Sequence, residues 1–330
     1  MEHIPFPSIE QFRTVIKTVQ SKAKFTGLDE FGKATFDKTI PAPILSYQGT
    51  VKLHGTNASV VMQEDGSIHF QSRNSIITPE NDHFGFATWA QNIDWASDFF
   101  NQLPPGERIL YGEWCGQGIQ RNVAISQLKK MFVIFKIKVN GVWFNINEYP
   151  IFYWCAVDVY NIVNFQTFNL NIDFENPQAS QNELIRITEL VENECPVGKS
   201  FGVSGVGEGV VWSPVNQEYY SSKYVFKVKG EKHSVSKVKT LAAVDTEKMN
   251  SIAEFVDSTV TENRLQQGLA WLTEQGLDTE LENTGAFIRW VYNDIVKEES
   301  DTIEVSKLSI KEIGYYIAKA AKTWFFKNLS

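Results

Sequence analysis

The stretch Val51-Lys52-Leu53-His54-Gly55-Thr56-Asn57 decides how this sequence is interpreted. If it leaves a β-strand, Lys52 and His54 point to one face and Leu53 packs behind them. Gly55 then permits a tight turn. A lysine fixed at the end of a strand acts as a nucleophile when burial or neighbouring cations lower its pKa, because both disfavour the ammonium form. Taken alone, such a lysine is more often an ordinary surface residue before a loop.

A second pair of lysines, in Phe226-Lys227-Val228-Lys229, follows the same alternation. Lys227 and Lys229 point to one side of a predicted strand, and together they can hold one phosphate. Their charge would lower the pKa of a nearby Lys52 and polarise the phosphorus that it attacks. Without other evidence, the pair more often marks a solvated strand edge, where lysines discourage aggregation.

Further segments follow Lys52 in a fixed order along the chain. They are Ser72-Arg73-Asn74, residues 111–123, Phe132-Val133-Ile134-Phe135, Glu208-Gly209-Val210-Val211 and Phe226-Lys227-Val228-Lys229. With Lys52-Leu53-His54-Gly55-Thr56-Asn57, this order resembles the covalent nucleotidyltransferases, which include polynucleotide ligases and capping enzymes. The Lys-x-His-Gly-Thr-Asn form is similar to that of the bacteriophage-type RNA ligase 2 family and of the RNA-editing ligases of trypanosomes. Each motif alone is weak, whereas the collinear set over residues 50–230 is strong evidence.

The resemblance implies a catalytic role for the charged residues in these segments. Lys52 is expected to be the nucleophile that becomes AMP-lysine, and Lys227 and Lys229 are expected to hold phosphate. Glu208 resembles the acid that helps to bind the divalent metal. Glu113 resembles the carboxylate that binds the ribose hydroxyls. The implied cofactors are ATP, with AMP bound covalently, and Mg²⁺, with Mn²⁺ as a substitute; Mg²⁺ needs only one or two acids besides triphosphate oxygens and water.

The other matched residues are expected to bind the nucleotide and the RNA. Phe135 would stack on the adenine ring, although core packing is the commoner role of such a phenylalanine. Arg73 resembles a phosphate or 3′-end contact, which suits a guanidinium. Asn57 would tie the nucleotide to the RNA end, and His54 and Gly55 would lie beside the nucleotide as parts of the nucleophile motif.

The chain departs from the family pattern at two positions. Val51 stands where the family has Glu immediately before the nucleophile, which affects one contact near the adenine. Ser213 stands where the resemblance predicts lysine. One cationic phosphate contact is therefore absent or is supplied elsewhere, with Lys223 as the candidate. The N-terminal segment that precedes Lys52 is also longer than is usual in the family, and residues 1–45 have no predicted role.

These observations predict an ATP-dependent RNA ligase that joins 5′-phosphate and 3′-hydroxyl RNA ends through lysyl-AMP and RNA-adenylate intermediates. The resemblance implies nicked duplex RNA or an RNA–DNA hybrid as substrate, and we expect a monomer without membrane attachment. Another covalent nucleotidyltransferase, such as a DNA ligase or capping enzyme, would use the same lysine on a different substrate. A non-catalytic RNA-binding module would keep the fold without the chemistry, but the intact set of lysines and acids argues against it. A purely structural protein would make the order of the motifs a coincidence.

The periodicity of the sequence changes partway along the chain. Up to about residue 240, short alternating runs with turn signals indicate strands and hairpins, one of them over residues 130–144. Helical spacing predicts a helix over about residues 180–194 and more helices after about 244. We predict an α+β protein with an adenylyltransferase domain over 1–243 and an all-helical domain over 244–330 that engages the RNA ends. The resemblance identifies the first as a nucleotidyltransferase (ATP-grasp-like ligase) domain of mixed and antiparallel sheets with flanking helices.

The charge pattern limits where the surface of the protein can bind nucleic acid. With 31 Lys and Arg against 39 Asp and Glu, the net charge is −8, which excludes a protein that grips nucleic acid over its whole surface. Between residues 223 and 239 there is one acid, Glu231, among the lysines at 223, 227, 229, 232, 237 and 239. The sequence therefore predicts a concentrated basic site in an acidic body, with salt-sensitive RNA affinity.

The cysteines and the hydropathy indicate the cellular setting. Cys115, Cys155 and Cys195 lie far apart and are odd in number, so they predict neither a disulfide framework nor a metal motif. The N-terminus lacks the pattern of a signal peptide, and the apolar run at 151–157 is too short to span a bilayer. We therefore expect a cytoplasmic protein, in the host cytoplasm if the chain is viral.

Overall fold

A computed structural model describes residues 1–82, 84–149, 155–236 and 251–329, apart from the side chain of Cys155. The described chain divides into two units. The sheet unit consists of Met1–Glu10 and Thr14–Gly230, and the helical unit consists of Gln11–Arg13 and Glu231–Ser330. The boundary predicted between residues 243 and 244 falls outside the described residues and stays a prediction.

Strands build most of the sheet unit. The described strands are β1 (Glu10–Gln11), β2 (Phe25–Leu28), β3 (Ala34–Phe36), β4 (Ile44–Lys52), β5 (Thr56–Met62), β6 (Ile68–Ser72), β7 (Ile76–Ile77), β8 (Arg108–Cys115), β9 (Met131–Val139), β10 (Val142–Phe144), β11 (Val159–Asn161), β12 (Thr167–Asp173), β13 (Gly209–Pro214) and β14 (Phe226–Lys229). Among the described residues, the first sheet has five strands in the order β1-β14-β13-β4-β12. The second has seven, in the order β10-β9-β8-β5-β6-β7 with β11 beside β9. The β11–β9 pair is parallel, whereas β8 and β10 pair with β9 antiparallel. The predicted α+β class with antiparallel and mixed sheets is confirmed.

Strand β4 shows how the alternation of side chains positions the site. Tyr47 and Val51 are buried on one face, and the Tyr47 ring lies 5.3 Å from the Phe226 ring, centroid to centroid. Thr50 and Lys52 are half-buried on the opposite face. Burial of the apolar face fixes the strand, and this holds Lys52 on the face that remains accessible.

Two predicted local elements are confirmed. β9 and β10 form the hairpin expected over residues 130–144, and the turn residues Asn140 and Gly141 have φ of 48° and 78°. Positive φ at both central residues is typical of the type I′ turn that suits a two-residue hairpin. The helix expected over about 180–194 extends over Gln181–Asn193.

The N-terminal segment lies on the second sheet. The Ile4 N–H donates to Gln71 Oε1 at 3.0 Å, and the Gln71 side chain donates back to the Ile4 carbonyl at 2.7 Å. The Tyr111 hydroxyl donates to the same carbonyl at 3.0 Å. These bonds bring the Phe6 ring edge-on to Phe135, with 5.0 Å between ring centroids. Residues that had no predicted role thus help to form the face that carries Phe135.

The described helices are α1 (Phe12–Lys24), α2 (Phe86–Ala90), α3 (Trp95–Asp98), α4 (Gln181–Asn193), α5 (Pro196–Ser200), α6 (Ile252–Thr259), α7 (Glu262–Glu274), α8 (Thr284–Glu298), α9 (Ser300–Ser306) and α10 (Ile310–Lys327). The helices predicted after residue 244 are confirmed as α6 to α10. Ser251, Thr261 and Ser309 cap α6, α7 and α10 by accepting backbone N–H groups. None of the described helices combines the length and apolar character needed to cross a membrane. The core of the helical unit includes Phe255, Leu265, Leu272, Phe287, Val291, Ile313, Ile317 and Phe325.

Candidate nucleotide site

Lys52, His54, Glu208 and Lys229 meet around one carboxylate, and we call them the Glu208 cluster. Lys52 Nζ lies 2.7 Å from Glu208 Oε2, and Lys229 Nζ lies 3.1 Å from Glu208 Oε1. His54 Nδ1 lies 3.4 Å from Glu208 Oε2. The Glu208 side chain is 1% exposed, whereas Lys52 is 21% and Lys229 is 15% exposed. The cluster therefore presents its cations to solvent and keeps its acid beneath them.

The register of the first sheet explains why the two lysines converge. β13 lies between β4 and β14, and Gly209 of β13 is opposite Lys52 on one side and Lys229 on the other. Gly209 has φ of 152°, and a Cβ there would collide with the carbonyl oxygen of Val228. Only glycine fits this backbone, and its missing side chain leaves space between the two lysines.

Lys227 lies on the same face, one step along the strand. It is opposite Val211, which in turn is opposite Thr50 of β4. Because side chains alternate along β14, Lys227 and Lys229 point to one side, as the sequence predicts. The face therefore presents a row with Lys52 and Lys229 and, beside it, a row with Thr50 and Lys227.

The charged groups of the cluster shift the pKa values of one another. Burial by itself would raise the pKa of Glu208, but Lys52, Lys229 and His54 hold that pKa well below its usual range. Burial lowers the pKa of Lys229, and the neighbouring Lys52 and Lys227 lower it further, whereas Glu208 acts in the opposite direction. The low pKa keeps Glu208 ionised beneath the two lysines.

Glu113 and Gly55 connect this cluster to the second sheet. The Gly55 N–H donates to Glu113 Oε1 at 2.9 Å. A Cβ at Gly55 would collide with the carbonyl oxygen of Trp114 and lie 2.7 Å from Cys115 Cβ. Gly55 lies outside the set of glycines with positive φ, so the position requires glycine for close packing and not for the turn conformation that we expected. Asn57 of β5 is opposite Glu113 of β8, so both lie on one face of the second sheet.

Phe135 and Lys136 lie at a β-bulge in β9. Lys136 is opposite Tyr111 of β8, but the next residue of β8, Gly112, is opposite Ile134. Phe135 is therefore the extra residue of β9, without a partner of its own on β8. A bulge turns side chains away from strict alternation, so two consecutive residues line the same space.

That space is an open cavity between the two sheets. Its walls include Gln48, Thr50, Phe135, Lys136, Ser213 and Tyr220. Lys136 Nζ donates to Tyr220 Oη at 3.4 Å and lies 4.5 Å from the centre of the Tyr220 ring. Burial lowers the pKa of Lys136 to about 8. Thr50 belongs to the face of β4 that carries Lys52, so the cavity and the Glu208 cluster lie on the same face of the first sheet.

Arg73 and Lys223 lie apart from these groups. Arg73 follows β6 and is exposed in the turn after it. Lys223, our candidate for the cation expected at Ser213, is also exposed, whereas the lysine that shares a cavity with Ser213 is Lys136. Lys237 and Lys239 of the predicted basic segment lie outside the described residues.

The described residues contain no group of three or more His, Cys, Asp or Glu side chains able to hold a metal ion. Glu208 is the acid at the centre of the site, and both of its oxygens lie within 3.5 Å of basic nitrogens. Mg²⁺ commonly takes one or two carboxylates together with phosphate oxygens and water. In this donor set Glu208 is the residue that would hold a metal together with phosphate oxygens.

Sequence reasoning missed Lys136, Thr50, Tyr220 and Phe6. Regular alternation would send Lys136 to the face opposite Phe135, and only the bulge brings both to the cavity. Phe6 and Tyr220 reach the site through distant parts of the chain, which no local pattern reports. The aromatic–lysine pair Phe135-Lys136 was the available signal, because a lysine beside a predicted base-stacking ring is itself a candidate ligand.

The chain is similar to known RNA ligases in sequence pattern and in structure. A sequence model of the RNA ligase family matches residues 45–229, which is more than half of the chain. A search of curated proteins finds no match. Solved structures that resemble this chain include a lysine-to-alanine mutant of Naegleria gruberi RNA ligase with ATP and Mn, with a TM-score of 0.45 and 16% identity over 69% of this chain and 57% of that chain.

An arginine-to-alanine mutant of the same ligase with ATP and Mn matches with a TM-score of 0.46 and 16% identity, covering 69% of this chain and 56% of that chain. The ligase with PPi matches with a TM-score of 0.45, 16% identity and the same two coverages. The chain spans a little over half the length of these ligases. The family match includes all four residues of the Glu208 cluster, and the chain belongs to the RNA ligase family.

Proposed function

We propose that this protein is an ATP-dependent RNA ligase that joins 5′-phosphate and 3′-hydroxyl RNA ends, at nicks in duplex RNA or in an RNA–DNA hybrid. The observation that supports this most is the Glu208 cluster, in which Lys52 Nζ lies 2.7 Å from Glu208 and Lys229 lies on the other side of the same carboxylate. A half-exposed lysine among cations at a strand end suits attack on phosphorus.

In the first step the neutral amine of Lys52 attacks the α-phosphorus of ATP. A P–N bond forms, the bond to pyrophosphate breaks, and the lysine proton goes to solvent. Glu208 is a poor acceptor for that proton, because its pKa is held well below its usual range. Its ion pair with Lys52 has to open before the amine can attack, and the incoming phosphate charge compensates the cations during that change.

In the second step an oxygen of the RNA 5′-phosphate attacks the phosphorus of lysyl-AMP. The P–N bond breaks, the Lys52 amine takes up a proton, and RNA-adenylate forms. In the third step an RNA 3′-hydroxyl attacks the activated phosphate and loses its proton to solvent, AMP leaves, and the phosphodiester is complete. Positioning of the ends and neutralisation of phosphate charge account for the protein's contribution.

The remaining groups would hold the reactants. Lys227 and Lys229 bind phosphate, Glu113 binds the ribose hydroxyls and Phe135 stacks on adenine. Mg²⁺, or Mn²⁺ in its place, would be held by Glu208 with phosphate oxygens and would supply charge neutralisation there.

RNA ends would be bound by groups outside the Glu208 cluster. Arg73 and Asn57 engage the ends, together with a helical domain over residues 244–330. Such a protein would act as a cytoplasmic monomer.

Intact mass spectrometry tests the first step. The protein with MgCl₂ and ATP is expected to gain the mass of one AMP, and Lys52→Ala is expected to gain none. Lys138→Met is the matched control, because Lys138 lies on β9 over the Trp143 ring, outside the Glu208 cluster. Absence of an adduct with ATP and with GTP would contradict the proposal that the protein is an enzyme of this kind.

Nicked duplexes test the substrate. Sealing of a nicked RNA duplex, followed on a denaturing gel, is expected to exceed sealing of the same nick in DNA. Equal or better sealing of DNA would make the protein a DNA ligase, and transfer of GMP to an RNA 5′ end would make it a capping enzyme.

A further inference from the structure

We propose that Lys136 binds the base of the nucleotide, donating a hydrogen bond to a ring nitrogen of the purine. This rests on the proposed function, since it assigns the base end of the same site. It gives a role to a residue that belongs to none of the family motifs in this sequence.

The bulge at Phe135 is the first support. Lys136 follows the residue expected to stack on the base, and the change of register after Tyr111 turns both side chains toward one cavity. Bulges beside functional sites re-aim side chains in this way. A base stacked on Phe135 would therefore have its edge close to the Lys136 ammonium.

The neighbours of Lys136 are the second support. Its polar partner is the Tyr220 hydroxyl, which itself donates to the Phe144 carbonyl at 3.1 Å. Within the described residues, no carboxylate lies within ion-pair distance of Lys136. Burying a lysine without a counter-ion costs free energy, so the fold keeps this one at a cost to stability. A ligand with hydrogen-bond acceptors would use the donors that Tyr220 leaves.

The neutral character of the opposite wall is the third support. Thr50 and Ser213 face Lys136 across the cavity, on the sheet that carries Lys52. The sequence lacks the lysine expected at Ser213, and Lys136 brings an ammonium to the same cavity from the second sheet. Cation and hydroxyls together match the edge of a purine, which offers ring nitrogens as acceptors and an exocyclic amine as donor.

Deaza analogues of ATP test the proposal atom by atom. In 1-, 3- and 7-deaza-ATP a C–H group replaces one ring nitrogen. For the wild-type protein we expect one of these analogues to raise the KM for adduct formation roughly tenfold to a hundredfold, the range for a hydrogen bond to a charged group. In Lys136→Met the KM for ATP is expected to rise by the same factor. The analogue that raises the KM of the wild-type protein should then have the same KM as ATP in this variant.

Lys138→Met is the matched control, because it removes a lysine two residues along the same strand. Lys138→Met is expected to show the same KM values for the three analogues as the wild-type protein. Thermal unfolding checks that both variants fold. Unchanged KM values for ATP in Lys136→Met, or the same loss with the analogue in Lys136→Met as in wild type, would overturn the proposal.

Equilibrium binding of AMP, measured by calorimetry, separates this proposal from the ligase activity. If AMP binds but no adduct forms, the proposed function fails, and weaker AMP binding by Lys136→Met would still support the base contact. If AMP binds wild type and Lys136→Met equally, or binds neither, the assignment of Lys136 is wrong.

Discussion

Glu208 in the sheet unit and Glu299 in the helical unit are both buried carboxylates held between two cations. Glu208 lies between Lys52 and Lys229, whose side chains are 21% and 15% exposed. Glu299 accepts from Arg13 at 3.1 Å and faces Arg264 at 3.5 Å, and these arginines are 3% and 0% exposed. Each arrangement places one carboxylate between two basic side chains, but the basic residues and their access to solvent differ.

The difference indicates what each arrangement can do. An arginine stays protonated and forms planar, directed hydrogen bonds, so a closed arginine–carboxylate group holds elements together. A lysine loses its proton more readily and changes partners on a flexible stem. The Glu299 group therefore suits structure, whereas the Glu208 cluster suits a reaction in which an ion pair opens and an amine attacks.

Replacing Lys52 should produce the largest effect on activity. Lys52→Ala removes the amine that we propose attacks ATP, so the rate of AMP-adduct formation should fall roughly 10³-fold or more. The unfolding midpoint in urea should change little, since the ion pair is partly solvated. A stable adduct on Lys52→Ala, detected by intact mass, would show that another residue is the nucleophile.

Replacing Arg264 should produce the largest effect on stability. Arg264→Met removes the buried partner of Asp294 and leaves Glu299 with Arg13 alone, which should cost about 3–5 kcal/mol in urea unfolding. Arg289→Met, an exposed arginine on α8, is the control and should stay close to wild type. Equal stability of the two variants would mean that the Glu299 group contributes nothing to the fold.

Replacing Lys229 should test whether the cluster needs both of its lysines. Lys229→Met removes one cation from the proposed phosphate site and should slow adduct formation roughly 10²-fold. Lys223→Met, which removes an exposed lysine close by in sequence, should leave the rate near the wild-type value. A slower single-turnover rate for Lys223→Met than for Lys229→Met would show that Lys223, and not Lys229, contacts the phosphate.

Replacing Lys136 should change stability less than replacing Arg264, and the change should depend on pH. Burial lowers the pKa of Lys136 from 10.5 to about 8. Between those pH values the unfolded chain binds a proton that the folded chain does not, so wild-type stability gains from a rise in pH. Lys136→Met should therefore be more stable than wild type by about 1–3 kcal/mol at pH 7, and this gain should disappear toward pH 10.5. Thermal unfolding at pH 7 and pH 10 measures it, and a constant difference would contradict the assignment.

Local patterns in the sequence predicted the local elements of the fold. The hairpin over residues 130–144 and the helix ending near residue 194 depend on neighbours in sequence, so alternation, turn residues and helical spacing were enough. The parallel pairing of β11 with β9 and the inclusion of Gln11–Arg13 in the helical unit join distant parts of the chain. Single-sequence patterns carry no signal for such pairings.

The site was predicted to the extent that it follows from regular strands. Alternation predicted that Lys52 and His54 share one face of their strand and that Lys227 and Lys229 share one side of theirs. The structure brings Lys52, His54 and Lys229 to Glu208. Their catalytic roles stay predictions. Lys136 was missed because regularity itself pointed it the wrong way, and a bulge depends on the partner strand as much as on its own sequence.

The bulge at Phe135 makes the cavity sensitive to chain length as well as to residue identity. Deletion of that one residue would let β9 pair evenly with β8, so the sheet would keep its hydrogen bonds. A single side chain would then face the cavity where two now do. A one-codon deletion would thus leave a folded protein with an altered ligand pocket, an outcome that no substitution at the same position reproduces.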